Sequence, residues 1–347
     1  GDAVCRRAHP CRAGGVAGQE PDSACRRLLS LESVKHHGKE IGRCRKSNLQ
    51  GLCLHSSLRW RKTEKSELPL STGWLTISSK RESWYFHYMP VGNAASVDLL
   101  LNPEQRKIMA EAVISANAGR GKVIVHTGSI HGRETLELTR HATDAGADGI
   151  SSVLPSIYFG YTMEEMTGFY QDMASNTSLP ILVYANHTGS GVDINRMVEE
   201  LLKVENIVGA KDTRGNYYKM WELKQLNGGD VNVINGPDES LLCGLMTGAD
   251  GGIGATYNLM PELFVELFTA FQEGDLKHAG ETQRRLNRII SVLIRWADGN
   301  IIRAIKESLR LSGYDVGCAV YPALEYSREK LAAFKREMEA AGYVYPG

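Results

Sequence analysis

The greater part of this 347-residue chain is predicted to be α/β, a closed barrel of parallel strands sheathed by helices, and three observations predict it. From Asn102 onward, short β-branched runs alternate with helical segments. The strand-like runs are apolar almost throughout, as strands buried on both faces are. No Gly-x-Gly-x-x-Gly follows the first clear strand and no acidic ribose-binding residue is evident, which disfavours an open nucleotide-binding sheet. The reading is a (β/α)8 TIM barrel with a C-terminal three-helix appendage and an atypical N-terminal stretch.

Taken in order, residues 1–47 show no sustained period of 2 or 3.6 and are predicted to be a disordered extension. Cys5, His9 and Cys11 match no zinc ligand pairing and no second Cys-x-x-Cys follows, so no metal is expected there. Aromatics interleave with basic residues only at Trp60-Arg61 and Trp84-Tyr85, a poor basis for RNA binding. The barrel is assigned to 48–297 and further C-terminal helices to 298–347. Closure demands two strands and a helix from about 48–100. That stretch reads badly for the task, with Arg59-Trp60-Arg61-Lys62 where a buried strand or its loop belongs.

The remaining elements are clearer. Asn102-Pro103-Glu104-Gln105 is an N-cap, a proline at the first helical position and an early acid, followed by apolar Ile108, Met109, Ala112 and Val113. Strands are expected at 122–128, 149–155, 181–186, 207–213, 231–237 and 252–258. Helices are expected at 133–144, 162–175, 195–203, 216–226, 239–248 and 261–273, then at 276–296, 301–312 and 321–341.

Composition narrows the function. Forty Lys+Arg balance forty Asp+Glu, so no global basic surplus points to nucleic acid. Residues 1–97 nonetheless carry sixteen Lys+Arg against eight Asp+Glu and five of the seven cysteines, leaving the body net acidic with only Cys243 and Cys318. Two cysteines in 250 residues suit a reducing cytoplasm. No apolar run is long enough to span a bilayer, and the first 30 residues lack the apolar core of a secretory signal, so a membrane association is not expected.

Reactive side chains in such a barrel lie near the C-terminal ends of strands. Lys211, in Ile207-Val-Gly-Ala-Lys-Asp-Thr213, stands among apolar strand neighbours, where desolvation frees the amine as a nucleophile toward carbonyls. The plainer alternative is a structural lysine paired with Asp212 or Asp238. Tyr184, in Ile181-Leu-Val-Tyr-Ala-Asn186, occupies the matching level of the preceding strand and can pass a proton to or from a substrate oxygen, or else be a core tyrosine. His126, His131, His141 and His187 read as solvated or loop residues, since no two share a helix face or His-x-His spacing.

Tyr184, Gly209-Ala-Lys-Asp-Thr213, Asn235-Gly-Pro-Asp-Glu239 and Gly248-Ala-Asp-Gly-Gly-Ile-Gly-Ala-Thr-Tyr-Asn258 together resemble the N-acetylneuraminate lyase and dihydrodipicolinate synthase superfamily of class I aldolases, over about residues 100–347. The last block looks most like the sialic acid lyase branch. The resemblance implies that Lys211 forms a Schiff base with a 2-oxo acid, that Tyr184 shuttles the proton, and that Tyr158 completes the relay. It places Thr213, Gly236, Asp238 and Glu239 against the hydroxylated tail of the sugar, where acidic groups accept from hydroxyls. Capping of the next helix is the alternative for Asp238 and Glu239.

Two departures from the family pattern stand out. Ala255 replaces a hydroxyl-bearing residue, and the carboxylate-binding Gly-Ser/Thr-Thr-Gly-Glu loop falls on Gly92-Asn-Ala-Ala-Ser-Val97, with Ala94 and Ala95 where hydroxyls belong. One account of 48–97 is an out-of-frame reading of the proper segment; resequencing that finds an intact frame through those codons removes it. The expected activity is cleavage of N-acetylneuraminate to N-acetylmannosamine and pyruvate, without metal or cofactor, by a cytoplasmic homotetramer. Alternatives are a lyase for another 2-oxo acid, a dihydrodipicolinate synthase-like enzyme, a phosphosugar or metal-dependent aldolase, or a barrel impaired by loss of its carboxylate loop. The synthase wants an arginine in the loop after Tyr184, and His187-Thr-Gly-Ser-Gly191 has none.

Overall fold

The computed structural model describes residues 74–78, 85–88, 101–117, 119, 122–155, 160–186, 192–314, 316, 319 and 322–345, the first two segments as strand pairing only. The predicted extension 1–47 lies outside the described residues. Eight strands close into one barrel in sequence order. They are β1 (Trp74–Ser78), β2 (Tyr85–Tyr88), β3 (Lys122–His126), β4 (Gly149–Val153), β5 (Ile181–Ala185), β6 (Ile207–Asp212), β7 (Asn232–Asn235) and β8 (Gly251–Ile253). Helices α1 (Pro103–Asn117), α2 (Gly132–Asp144), α3 (Met163–Ala174), α4 (Ile194–Leu201), α5 (Tyr217–Gln225), α6 (Leu241–Met246) and α7 (Pro261–Gln272) follow β2 to β8 in turn. Then come α8 (Leu276–Trp296), which lies along α7, and α9 (Ile301–Leu311) and α10 (Arg328–Ala340), which pack on α8. None of the described helices is long and apolar enough to cross a membrane.

The expectation of eight parallel strands fails at the front. Adjacent strands from β2 through β8 are parallel, but β1 runs antiparallel to both β2 and β8. Only residues 79–84 link β1 to β2, too few for the crossover of a dozen or so residues that a parallel pair requires. The same six residues leave no room for the helix expected between the first two strands.

Elsewhere local sequence and structure agree. Asn102 Oδ1 accepts from the Gln105 backbone N at 2.9 Å while Gln105 Oε1 accepts from the Asn102 N at 3.0 Å, so both ends of the α1 cap are satisfied. Thr162 and Glu165 form the same reciprocal box on α3. In α4, Asp193 caps the first turn and Ile194, Met197, Val198 and Leu201 form a buried stripe with the i, i+3, i+4, i+7 spacing. Each of these four contributes about 1.5–3 kcal/mol by leaving water.

Two elements begin or end elsewhere than expected. The strand over 252–258 stops at Ile253, because Asp238 draws the Thr256 backbone N (2.7 Å) and hydroxyl (2.6 Å) into a 3₁₀ turn at Thr256–Asn258. The last helix begins at Arg328 rather than near 321, where the Ser327 hydroxyl accepts from the Lys330 N.

Strand alternation sorts side chains into two cores. Ile124, Leu182, Tyr184, Ile234 and Ile253 belong to a core continuous with α6 to α10, while Val123, Val125, Val183, Ala210 and Val233 pack in a second one with α1 to α5. The β5–β6 pairing contains one irregularity. Ile181 aligns with Ile207 but Leu182 aligns with Gly209, so Val208 is an unmatched extra residue. Gly209 is obligatory beside it, since a Cβ there would lie 1.9 Å from the Asn232 carbonyl oxygen of β7. Gly209→Ala is expected to destabilise by about 2–4 kcal/mol, read as a fall of roughly 5–10 °C in the circular-dichroism Tm; an unchanged Tm contradicts this packing.

Candidate active site

The bulge sets Tyr184 of β5 directly against Lys211 of β6. Both are buried, at 4% and 2% exposure. The Lys211 Nζ stands 4.2 Å from the centroid of the Tyr184 ring. The two residues stand opposite each other at the C-terminal ends of adjacent strands, the level at which the sequence sets them.

The third member is one that sequence reading missed. His126 is neither solvated nor in a loop: it ends β3, is buried, and sets its ring at 85° to that of Tyr184 with centroids 6.1 Å apart. Its Nε2 accepts from the Val153 backbone N at 3.0 Å, which puts the ring proton on Nδ1. The period-2 alternation of Lys122-Val-Ile-Val-His126 already puts His126 on the face of Ile124, which was the available signal. His131 adjoins the start of α2, and His141 pairs with Glu111 at 2.9 Å on the exterior.

One level above Lys211 the ladder continues through Thr213 N to Ala185 O (2.8 Å) and Gly236 N to Asp212 O (2.8 Å). Asn186, Thr213 and Gly236 thus form a second tier. Gly236 is required because a Cβ there would lie 2.1 Å from Thr213 Oγ1. Thr213 Oγ1 and Asn186 Oδ1 are buried without a hydrogen-bond partner. Buried polar atoms are nearly always satisfied, so two such oxygens on adjacent strand ends call for a donor from water or from a bound hydroxyl. Sequence reading predicted Thr213 and Gly236 and did not single out Asn186.

Asp238 turns in from the segment after β7. It does not cap α6: its Oδ2 holds Thr256, and its Oδ1 occupies the space over Gly254, where a Cβ would fall 1.4 Å away. Burial pushes its carboxyl up to about 6, opposed by the two Thr256 hydrogen bonds and by the charge of Lys211. Glu239 is exposed, and Ala255 is buried beside Thr256, whose hydroxyl serves Asp238. Tyr158, Ala94, Ala95 and His187 lie outside the described residues. No cluster of three or more His, Cys, Asp or Glu suited to a metal ion occurs among the described residues.

The raised Asp238 value has a definite sign. Folding favours the protonated carboxyl, so its contribution is fully present below the ordinary value of 3.8 and is lost as pH rises through about 6. Relative to Asp238→Asn, the wild type is expected to lose on the order of 3 kcal/mol between about pH 4 and 6. Urea titrations of both proteins across that range measure it, and a stability difference independent of pH contradicts it.

Residues 97–341 match the dihydrodipicolinate synthetase family, DHDPS. The N-acetylneuraminate lyase of Rhizobium meliloti (strain 1021) is 32% identical over 246 residues, 71% of this chain and 80% of that protein. Among solved structures, the Proteus mirabilis N-acetylneuraminate lyase has a TM-score of 0.67 and 26% identity, covering 73% of this chain and 85% of its own. YagE from E. coli K12, a prophage protein of the dihydrodipicolinic acid synthase family solved with pyruvate, has a TM-score of 0.65 and 29% identity over 70% of this chain and 83% of its own. The fold is thus that of a barrel shared by lyases and synthases. The chain belongs to the dihydrodipicolinate synthetase family.

Proposed function

We propose that the protein is a Schiff-base-forming aldolase that cleaves N-acetylneuraminate reversibly to N-acetylmannosamine and pyruvate. The observation that carries this reading is the buried Lys211 amine set over the Tyr184 ring at the C-terminal end of the barrel. In this mechanism Nζ adds to the 2-oxo carbon and water leaves, forming an imine. The bond between C3 and C4 then breaks, and its electron pair is delocalised into the imine as an enamine. The C4 hydroxyl proton passes to a neighbouring base as the aldehyde forms, with Tyr184 as relay and Tyr158 as its second member. Protonation at C3 and hydrolysis release pyruvate and restore the amine.

Polyol preference is supported by the acceptors above the lysine. Thr213 Oγ1, Asn186 Oδ1 and Asp238 Oδ1 suit a chain of hydroxyls better than the second carboxylate that a synthase substrate carries. Gly236, Glu239 and Ala255 border the same tail, and Ala94 and Ala95 are assigned to the carboxylate end. The last three helices are taken as an appendage to the barrel, and the working assembly as a cytoplasmic homotetramer.

The test is reductive trapping. Borohydride with pyruvate, and separately with N-acetylneuraminate, is expected to add to Lys211 a mass equal to pyruvate less one oxygen atom, located by peptide mass spectrometry. Absence of any adduct contradicts the aldolase and favours an impaired barrel.

A further inference from the structure

Asp212, the residue after Lys211, is fully buried on the helix side of β6. Arg214 clamps it: Nε donates to Oδ1 at 2.9 Å, Nη2 to Oδ2 at 2.7 Å, and the Arg214 backbone N to Oδ1 at 2.9 Å. The fork is locked from α4, where Asn195 Oδ1 accepts from Nη2 at 2.8 Å, and Asn195 Nδ2 in turn donates to the Lys219 carbonyl of α5 at 2.9 Å. The Arg214 side chain is only 14% exposed. Such a two-point guanidinium–carboxylate contact fixes geometry as well as charge.

Successive strand residues face opposite ways, so Asp212 cannot touch the inward Lys211 amine. It remains one peptide unit away in a poorly solvated wall. We propose that Arg214 is a positioning residue for Lys211: it neutralises Asp212, so that this buried negative charge does not hold the adjacent amine as an ammonium ion and imine formation proceeds near neutral pH. This rests on the Schiff-base reading of Lys211. A bare carboxylate on the order of 10 Å from an amine, at an effective dielectric of about 20, favours the ammonium by roughly one pH unit. Among the described residues, the other titratable groups around the pair are Tyr184 from β5, with His126 behind it, Asp238 and Glu239 from the turn after β7, and Tyr217 and Glu222 of α5. They are common to every variant below, so a comparison isolates Asp212.

The experiment follows cyanoborohydride trapping of pyruvate on Lys211 of the full chain as a function of pH. Arg214→Met is expected to move the half-trapping pH up by about one unit, roughly a tenfold slower reaction at a fixed pH below the midpoint. Arg214→Lys keeps the wild-type profile, and the Asp212→Asn/Arg214→Met double variant returns to it. Asp212→Asn alone, with an unopposed guanidinium, moves the midpoint down, and decides the matter should Arg214→Met not fold. Reductive methylation of Lys211 by formaldehyde is expected to show the same shifts without pyruvate. It therefore separates failure of this proposal from failure of the aldolase reading. An unchanged midpoint in Arg214→Met, or a shift that persists in the double variant, overturns the proposal.

Discussion

Lys211→Met is expected to abolish turnover of N-acetylneuraminate, with kcat/KM falling by on the order of 10⁴-fold or more. Methionine preserves the length and apolar stem of the side chain while removing the amine, so the barrel interior stays filled. Lys211 is 2% exposed, and burying an ammonium group is costly. That cost and the cation–π contact with Tyr184 oppose each other, so the variant is expected to melt within a few degrees of the wild type. Loss of activity with an intact melt separates chemistry from folding, and reductive trapping on the variant should give no adduct. A lyase assay in which Lys211→Met retains activity within tenfold of the wild type removes the central assignment.

Tyr184→Phe is expected to lower kcat by about 10²–10⁴-fold while leaving KM within a few-fold. The ring that packs under the Lys211 amine at 4.2 Å remains, and with it the cation–π contact worth about 0.5–2 kcal/mol. Only the hydroxyl is lost. Pyruvate adduct formation should persist, because attack of the amine on a carbonyl does not require cleavage of a carbon–carbon bond. Parallel kinetics and trapping thus assign the phenol to the cleavage step. If the adduct disappears as well, Tyr184 supports the lysine instead of relaying a proton.

Six of the eight strands are legible in the sequence because each is a short apolar run closed by glycine, proline, asparagine or threonine, as in Lys122-Val-Ile-Val-His-Thr-Gly128. The front of the barrel is not, because β1 and β2 lie in a stretch whose residues read badly for barrel strands and pair as a reversed hairpin that no strand–helix alternation announces. Lys211 and Tyr184 are legible because an inward polar residue amid apolar neighbours is conspicuous. His126 is not, because a histidine at the end of a strand looks like the start of a loop until its facing is counted from Ile124. Asp238 is half legible: its position after β7 can be read, but not the long-range tie to Thr256, eighteen positions on, that excludes the alternative reading as a helix cap. Contacts across that span are fixed by the tertiary path, which residue type alone does not encode.

The unmatched Val208 has a consequence for how such a catalytic pair arises. Were Val208 paired in the ladder instead of bulged out of it, with Ile181 still on Ile207, Tyr184 would stand opposite Ala210, and Lys211 would face Ala185. The phenol and the amine would both be present in the chain yet out of step. Their partnership is thus a matter of phase between two neighbouring staves: whether one residue at the base of β6 is bulged or paired sets the phenol and the amine in or out of step while every reactive residue keeps its identity.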